Sequence, residues 1–384
     1  MTDAPRAPVC FFLPTLDGGG AERVNVDLAN ALAGSDQPVI LLCNRATGPW
    51  RGRVAPAVEV AELGCDRVLS AILPLRRFLR RRRPAAVMSA MTHANIVTLA
   101  ATRLLGRFPG RVVVQEVAQL AVGRPTARPR VEKLILWLTR WLYALADTVV
   151  AISPSIAEEL VDHRGRPLPN VRVVPNPIDV AAIAGQARAP VPHPWLAAKT
   201  LPVVLAVGRL APEKDFATLL RAVALARTRR PLRLILLGEG AERPVLTRLA
   251  TELGLDGEVD LPGFAANPYP FMAHADLIAV SSLAEGFSLV LAEALACGCN
   301  AVTTDCGAGP VGILDHGRHG RIVPPRDPAA LAEAILATLA APLPAEPLRE
   351  RARLYDLPVV TALYRELVTG PQVSGRTLGV RGKP

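Results

Sequence analysis

The sequence predicts an α/β protein made of two doubly wound, parallel-sheet domains facing each other across a cleft. Three observations predict it. Short apolar runs alternate with stretches carrying apolar residues at helical spacing, as βα units do when both sheet faces are covered. This series occurs twice, and a stretch dense in proline (Pro190, Pro192, Pro194) separates the two. A chain of 384 residues also suits two domains.

The first series opens with the apolar run Val9–Pro14, a short buried strand. The loop Thr15–Gly20 follows and ends in three glycines, which let a backbone approach a ligand closely. Ala21–Ala33 has helical apolar spacing and stops at Gly34, and Pro38–Cys43 is the next strand. Strand, glycine loop, helix and strand make a βαβ unit. The loop lacks the GxGxxG pattern and a suitably placed acid, so a dinucleotide is not indicated. Further strands are expected at 86–89, 111–115, 148–151 and 171–174, with helices at 94–105, 131–146 and 154–161. Ser153 with Pro154 reads as a helix start. His93 and Asn95 follow a strand end, where ligand groups collect.

The second series opens with the strand Pro202–Gly208, a loop from Arg209 to Lys214, and a helix over 216–227. A strand at 233–238 carries Glu239 and Gly240 after it. A helix at 244–253, a strand near 259–261 and a helix at 267–273 come next. The apolar run 275–280 then ends in Ser281 and Ser282, followed by a loop with Glu285 and Gly286 and a helix from Ser288 to Cys297. Strand, loop and helix place a helix N-terminus at the carboxyl edge of a parallel sheet, a ready anion site. Glu285 lies in that loop and Glu293 two turns into the helix, roughly 80° apart around the axis, so they need not share a target. One acid at the crevice edge and one deeper suit a ligand with hydroxyls at its end and middle and phosphates between: a nucleotide sugar. Strands at 300–304 and 320–324 and helices at 328–339 and 357–368 complete the series.

Composition restricts the partners. The net charge of +10 falls almost entirely in residues 1–190, which points to an anionic partner for that half. Six arginines between Arg76 and Arg83 concentrate it. They suit anionic lipid head groups or an ordinary solvated face. Nucleic acid is the weaker partner, because no recognition motif accompanies the run and aromatics are only 4%. The six cysteines show no metal-ligand spacing and read as buried thiols. No apolar run is long enough to span a bilayer and the start lacks a secretory pattern, so a cytoplasmic protein is expected.

With these elements in order, the chain resembles the retaining family 4 glycosyltransferases of the GT-B fold, from Val9 to about Val368. Glu285-Gly286-Phe287-Ser288-Leu289 through Glu293 is similar to the family's E-x7-E motif. Val207-Gly208-Arg209-Leu210 with Lys214-Asp215-Phe216, the turn Leu237–Gly240, Leu261–Phe264, Val174–Asp179 and Gly18–Arg23 match in type and order. The resemblance implies two Rossmann-like domains: an acceptor domain over 1–188, a linker over 189–200, and a donor domain over 201–354. It also implies a helix over 355–369 crossing back to the first domain and a flexible tail over 370–384. It implies that Arg209 and Lys214 clamp the donor diphosphate without a metal, and that Gly19 and Gly20 approach the phosphates. Glu285 contacts the transferred sugar and is counted with Arg209 and Lys214 as catalytic, without being assigned as a nucleophile. Gly208, Gly238, Gly286, Phe287, Ser288 and Leu289 line the donor, Glu293 meets the ribose, Gly263 and Phe264 border the base, and His93 and Asn95 face the acceptor.

The sequence departs from the family at Gln115-Glu116, where many members carry His, at Asn300, where many carry Pro, and at Gly312, where many carry Glu. These departures bear on acceptor handling. No cofactor is implied. The expected donor is a UDP-, GDP- or ADP-linked sugar and the expected acceptor a lipid-linked saccharide or envelope glycan, met on the inner face of the membrane. A sugar-nucleotide hydrolase or epimerase on the same fold, or a non-catalytic sugar-nucleotide-binding subunit, is compatible with the same donor motifs.

Overall fold

The computed structural model describes residues 6–370 apart from 18, 105, 107 and 118–128. Gly18 of the glycine loop and nearly all of the expected tail therefore lie outside the described residues. The chain divides into two compact units, 1–177 with 357–384, and 178–356.

Unit 1 holds a seven-stranded sheet in the order β3-β2-β1-β4-β5-β6-β7, every pairing parallel. The strands are β1 (Val9–Leu13), β2 (Val39–Cys43), β3 (Val58–Glu62), β4 (Ala86–Ala90), β5 (Arg111–Glu116), β6 (Thr148–Ala151) and β7 (Val171–Val173). All residues of β1, β2 and β4 are buried, because helices cover both faces, and this is why they read as unbroken apolar runs. The edge strand β3, VEVAE, is interrupted by Glu59 and Glu62, escapes that criterion and is not among the expected strands. The helix Leu357–Thr369 packs on unit 1, against the helix Gly20–Ala33. Its Tyr364 is fully buried and receives a 2.7 Å hydrogen bond from Gln115 Nε2.

Unit 2 holds a six-stranded parallel sheet in the order β10-β9-β8-β11-β12-β13. Its strands are β8 (Val203–Val207), β9 (Arg233–Leu237), β10 (Val259–Gly263), β11 (Leu277–Val280), β12 (Asn300–Thr304) and β13 (Arg321–Val323). The core gathers β8, β9 and β11 with the helices 216–227 and 328–340 through Leu219, Val223, Leu234, Leu331 and Ile335. In both units the strand order reverses beside the first strand, between β1 and β4 and between β8 and β11. Ligand crevices form outside the carboxyl ends of strands at such reversals.

The proline-rich stretch is not the division between the units. The break falls at Pro177, and the second crossing at Asp356. The physical reason is packing: His193 is 4% exposed and its Nε2 bonds Asp260 Oδ2 at 2.9 Å, while Leu196 is buried in unit 2. The Trp195 amide donates to His193 Nδ1, so Nε2 carries the proton that Asp260 accepts. The prolines here start a short helix, Pro194–Ala197. Short helices at 180–186, 308–313 and 345–353 are also additions to the sequence reading.

Candidate active site

The richest polar cluster of unit 2 stands at the carboxyl ends of β8, β11 and β12. β11 ends at Val280 and the chain turns through Ser281 and Ser282, both buried. Ser281 Oγ donates to the carbonyl of Lys214, and the Leu283 amide to the carbonyl of Glu213, both at 2.8 Å. Thr304 Oγ1, from the end of β12, donates to the carbonyl of Ser282 at 2.6 Å. The Glu285 amide donates to the carbonyl of Cys306 at 2.8 Å. Three strand ends thus fix one loop, and its product is the placement of the Glu285 carboxylate. Glu285 Oε1 accepts from Lys214 Nζ at 2.5 Å and from Ser282 Oγ at 2.8 Å. The pair is mostly buried, with the two side chains 25% and 14% exposed, so its charges are weakly screened. Burial, helped by the Glu285 charge, pushes the Cys306 thiol up to about 12.

Lys214 and Arg209 leave the β8 end together. Gly208 is followed by exposed Arg209, which pairs with Glu213 one turn on. Burial works against the Glu213 carboxylate, but hydrogen bonding and Arg209 outweigh it and hold it below the usual range. Asp215, in the left-handed region at φ 45°, caps the following helix through Thr218. Backbone crowding explains two glycines here. Gly238 has φ 147°, and a Cβ on it would lie 1.8 Å from the Gly208 carbonyl oxygen; one on Gly309 would lie 2.2 Å from that of Gly286. The loops after β8 and β9 touch through bare backbone, as do the Glu285 loop and the helix 308–313.

The helix Leu289–Cys297 begins at Ser288, itself at φ 62° and 7% exposed, with no side-chain cap. A non-glycine residue in this region is costly and is found where the surroundings impose it. Phe287 beside it is buried edge-on against Tyr355, ring centres 5.3 Å apart. Glu293 is 3% exposed and accepts from the Tyr269 hydroxyl at 3.1 Å. Gly263 closes β10 at φ 97°, beside Glu239, and Phe264 after it is 78% exposed. A cationic pair, a helix N-terminus and a fixed carboxylate at one sheet edge can hold a polyanion and stabilise negative charge that develops on it.

Arg209, Lys214, Glu285, Gly286, Phe287, Ser288 and Leu289 are therefore brought together, with Gly208 and Gly238 beneath them. Ser282, already marked in the sequence as the end of the apolar run, supports them, and so do Thr304, Gly309 and the Cys306 carbonyl, which were not singled out as site residues. Tyr269, the partner of Glu293, carried no sequence signal.

The candidates in unit 1 separate. Gly19 precedes the helix at 20–33 and Gly20 is its first residue. A Cβ on Gly19 would fall 2.1 Å from Glu22 Oε2. Burial pushes the Glu22 carboxyl above its ordinary range. His93 is exposed at the start of the helix Thr92–Leu99. Asn95 corrects the expectation that it faces an acceptor: it is fully buried, accepts from Ser89 Oγ at 2.9 Å, and donates to the Gln115 carbonyl at 2.8 Å and Tyr143 Oη at 2.9 Å. Its polar atoms are committed to the core.

The family departures have structural duties too. Glu116 is fully buried and accepts from Tyr143 Oη at 2.6 Å and from Thr92 Oγ1 at 3.1 Å. Burial first, then the Glu116 carboxylate, push the Tyr143 hydroxyl well above its usual range. The Asn300 amide bridges the backbone N–H and carbonyl of Leu343. The Gly312 carbonyl accepts from Arg351, and a Cβ there would meet open space.

Two doubly wound parallel sheets, with such a cluster at one switch point, define a two-domain α/β protein with a ligand crevice at a sheet's carboxyl edge. The model of "Glycosyltransferase Family 4" matches residues 18–182, and that of "Glycosyl transferases group 1" matches 201–341. The lipopolysaccharide core biosynthesis glycosyltransferase LpsE of Rhizobium meliloti is 31% identical over 328 residues, 83% of this chain and 84% of that protein. The N-acetylgalactosamine-N,N'-diacetylbacillosaminyl-diphospho-undecaprenol 4-alpha-N-acetylgalactosaminyltransferase of Campylobacter jejuni is 29% identical over 326 residues, 82% of this chain and 85% of that one. Among solved structures, Anabaena HepE in complex with UDP superposes with a TM-score of 0.76 at 20% identity, over 95% of this chain and 100% of that one. The chain belongs to the group 1, family 4 glycosyltransferases, and its fold is GT-B.

Proposed function

We propose that this glycosyltransferase moves a hexose-type sugar, with retention of anomeric configuration and without a metal, from a nucleotide-diphosphate donor to a lipid-linked saccharide or another envelope glycan. The observation that carries it is the Lys214–Glu285 pair beside Arg209 and the first turn of the helix 289–297. Lys214, Arg209 and that helix start take the donor diphosphate. Gly208, Gly238, Gly286, Phe287, Ser288 and Leu289 bring backbone to it. Glu285 contacts the sugar, Glu293 the ribose hydroxyls, and Gly263 and Phe264 border the base. The bond from the anomeric carbon to the diphosphate oxygen breaks and one to the acceptor hydroxyl oxygen forms on the same face; the acceptor proton leaves with the diphosphate. The cations stabilise the leaving diphosphate as its charge builds.

The relatives support the acceptor class by their names: one is assigned to lipopolysaccharide core, the other to a diphospho-undecaprenol saccharide. The donor nucleotide is UDP, GDP or ADP, and UDP is the nucleotide found with HepE. The arginine run at 76–83 supports work at the cytoplasmic face of an anionic membrane.

The test is incubation with UDP-, GDP- and ADP-linked radiolabelled sugars and a lipid extract from the producing cell. Label entering the lipid fraction from one donor, in a product whose linkage has the donor's anomeric configuration by NMR, is the expected outcome. Release of free sugar without transfer would favour a hydrolase instead, and an inverted linkage would refute retention.

A further inference from the structure

Of the acids Glu285 and Glu293, the second is the more enclosed. It lies 3% exposed on the helix Leu289–Cys297, whose residues from Leu291 onward are all buried. A carboxylate so placed costs free energy unless hydrogen-bond donors meet it. Tyr269 supplies one: its hydroxyl, on a residue that is itself buried, donates to Glu293 Oε1 at 3.1 Å. A phenol fixes a carboxylate without cancelling its charge, whereas a lysine or arginine cancels it. An ionised carboxylate has about four acceptor sites, and one phenol takes a single one. The tyrosine is gripped at its other end as well. Its amide donates to Asn267 Oδ1 at 3.2 Å, and Asn267 Nδ2 donates to the carbonyl of Gln186 at 3.1 Å. Its carbonyl accepts from the Cys297 thiol, 3.9 Å away and one turn beyond Glu293. Burial, helped by the Glu293 charge, pushes that thiol up to about 12, so it keeps its proton. The helices 180–186, 269–274 and 289–297 all pack on one another. Tyr269 joins the last two twice, carbonyl to Cys297 and hydroxyl to Glu293, and so fixes where the carboxylate stands.

Tyr269 also follows closely on Gly263 and Phe264, with only residues 265–268 between. One short segment therefore carries both the residues read as bordering the base and the residue that holds Glu293. Hydrogen bonds from vicinal hydroxyls to a carboxylate are strong, because the acceptor is charged, and they weaken steeply when the geometry is lost. A carboxylate free to turn must be ordered as the nucleotide binds, which lowers affinity. We propose that Tyr269 is a positioning residue of the donor site, and that its hold on Glu293 sets a preference for ribose over deoxyribose nucleotides. The inference rests on the reading that Glu293 meets the ribose hydroxyls, and it adds the residue on which that recognition depends.

The test is calorimetric binding of UDP, GDP and ADP to the full chain, each as the ribo, 2′-deoxy and 3′-deoxy form. The wild type should bind the ribo form of its nucleotide about tenfold or more tighter than at least one deoxy form. Tyr269→Phe keeps the ring and removes the hydroxyl. It should cut that preference to about threefold or less, and leave affinity for the deoxy form within about twofold of wild type. Glu293→Gln should cut the preference as well. In transfer assays of Tyr269→Phe, the donor KM should rise more than kcat falls. The preference compares two ligands on one variant, so a loss of stability alone does not move it. Asn267→Ala, at a partly exposed position, releases the Tyr269 amide and should also lower the preference, which keeps the test open if Tyr269→Phe folds poorly. A preference that Glu293→Gln abolishes but Tyr269→Phe and Asn267→Ala leave intact would overturn the proposal while the ribose reading stands. A wild type with no ribo preference would overturn both, and selective binding of one nucleotide would still uphold the donor site.

Discussion

Lys214 and Glu285 are 2.5 Å apart, mostly buried, and held by hydrogen bonds from three strand ends. Such a pair is set in place before any ligand arrives, which is where electrostatic stabilisation is most effective. Lys214→Ala should lower kcat/KM by about 10²–10³, measured as sugar transfer. It should also cost about 1–3 kcal/mol of stability, because it takes the cation away from a partly buried carboxylate. Gly238→Ala should cost about 2 kcal/mol or more by urea unfolding, since the new methyl would overlap the Gly208 carbonyl at a left-handed φ. Gly312→Ala, whose Cβ meets open space, is the control and should change stability by less than about 0.5 kcal/mol. The placement of Arg209 and Lys214 in the loop after β8, beside the Glu285 loop, was legible in the motif spacing. Asn95 was not: whether an amide after a strand end faces a ligand or the core depends here on Gln115 and Tyr143, 20 and 48 positions away, as well as on nearby Ser89.

At the scale of elements, the helix 289–297 starts from a serine in a glycine-like conformation. Ser288→Gly should keep the fold, whereas Ser288→Val, β-branched at φ 62°, should destabilise by about 1–3 kcal/mol on the same unfolding assay. The loop after the helix 154–159 offers a pH test. Asp162 accepts from the Arg166 and Arg164 amides and pairs with the Arg166 side chain, which together hold its carboxyl at about 2. A depressed carboxyl contributes stability that is full above its ordinary pKa near 3.8 and fades as pH falls towards 2. The difference in urea midpoint between the wild type and Asp162→Asn should therefore be constant from pH 7 to 5 and shrink by pH 3. The buried strands were legible because both sheet faces are covered, so burial shows as an unbroken apolar run; the helix Ile72–Arg82 was not, because arginines fill most of its exposed positions. β3 was not, being a partly exposed edge strand whose apolar run is broken by Glu59 and Glu62. The proline-rich stretch misled because proline starts helices as readily as it fills linkers, and the buried His193–Asp260 bond that anchors it spans 67 positions.

For the whole molecule, the two units divide the properties between them. Unit 1 has the positive charge and the exposed tryptophans, and unit 2 has the Lys214–Glu285 cluster at its switch point. Donor recognition should therefore belong to unit 2 and survive changes to the arginine run of unit 1. The most direct measurement is the thermal stability of the full chain with UDP, GDP and ADP and their sugar conjugates, with and without EDTA, for the wild type and Lys214→Ala. One nucleotide at 100 times its Kd should stabilise the wild type by about 2.7 kcal/mol, unaffected by EDTA and much reduced in Lys214→Ala. No shift with any nucleotide, or a shift that Lys214→Ala leaves intact, would contradict a donor site built on this pair.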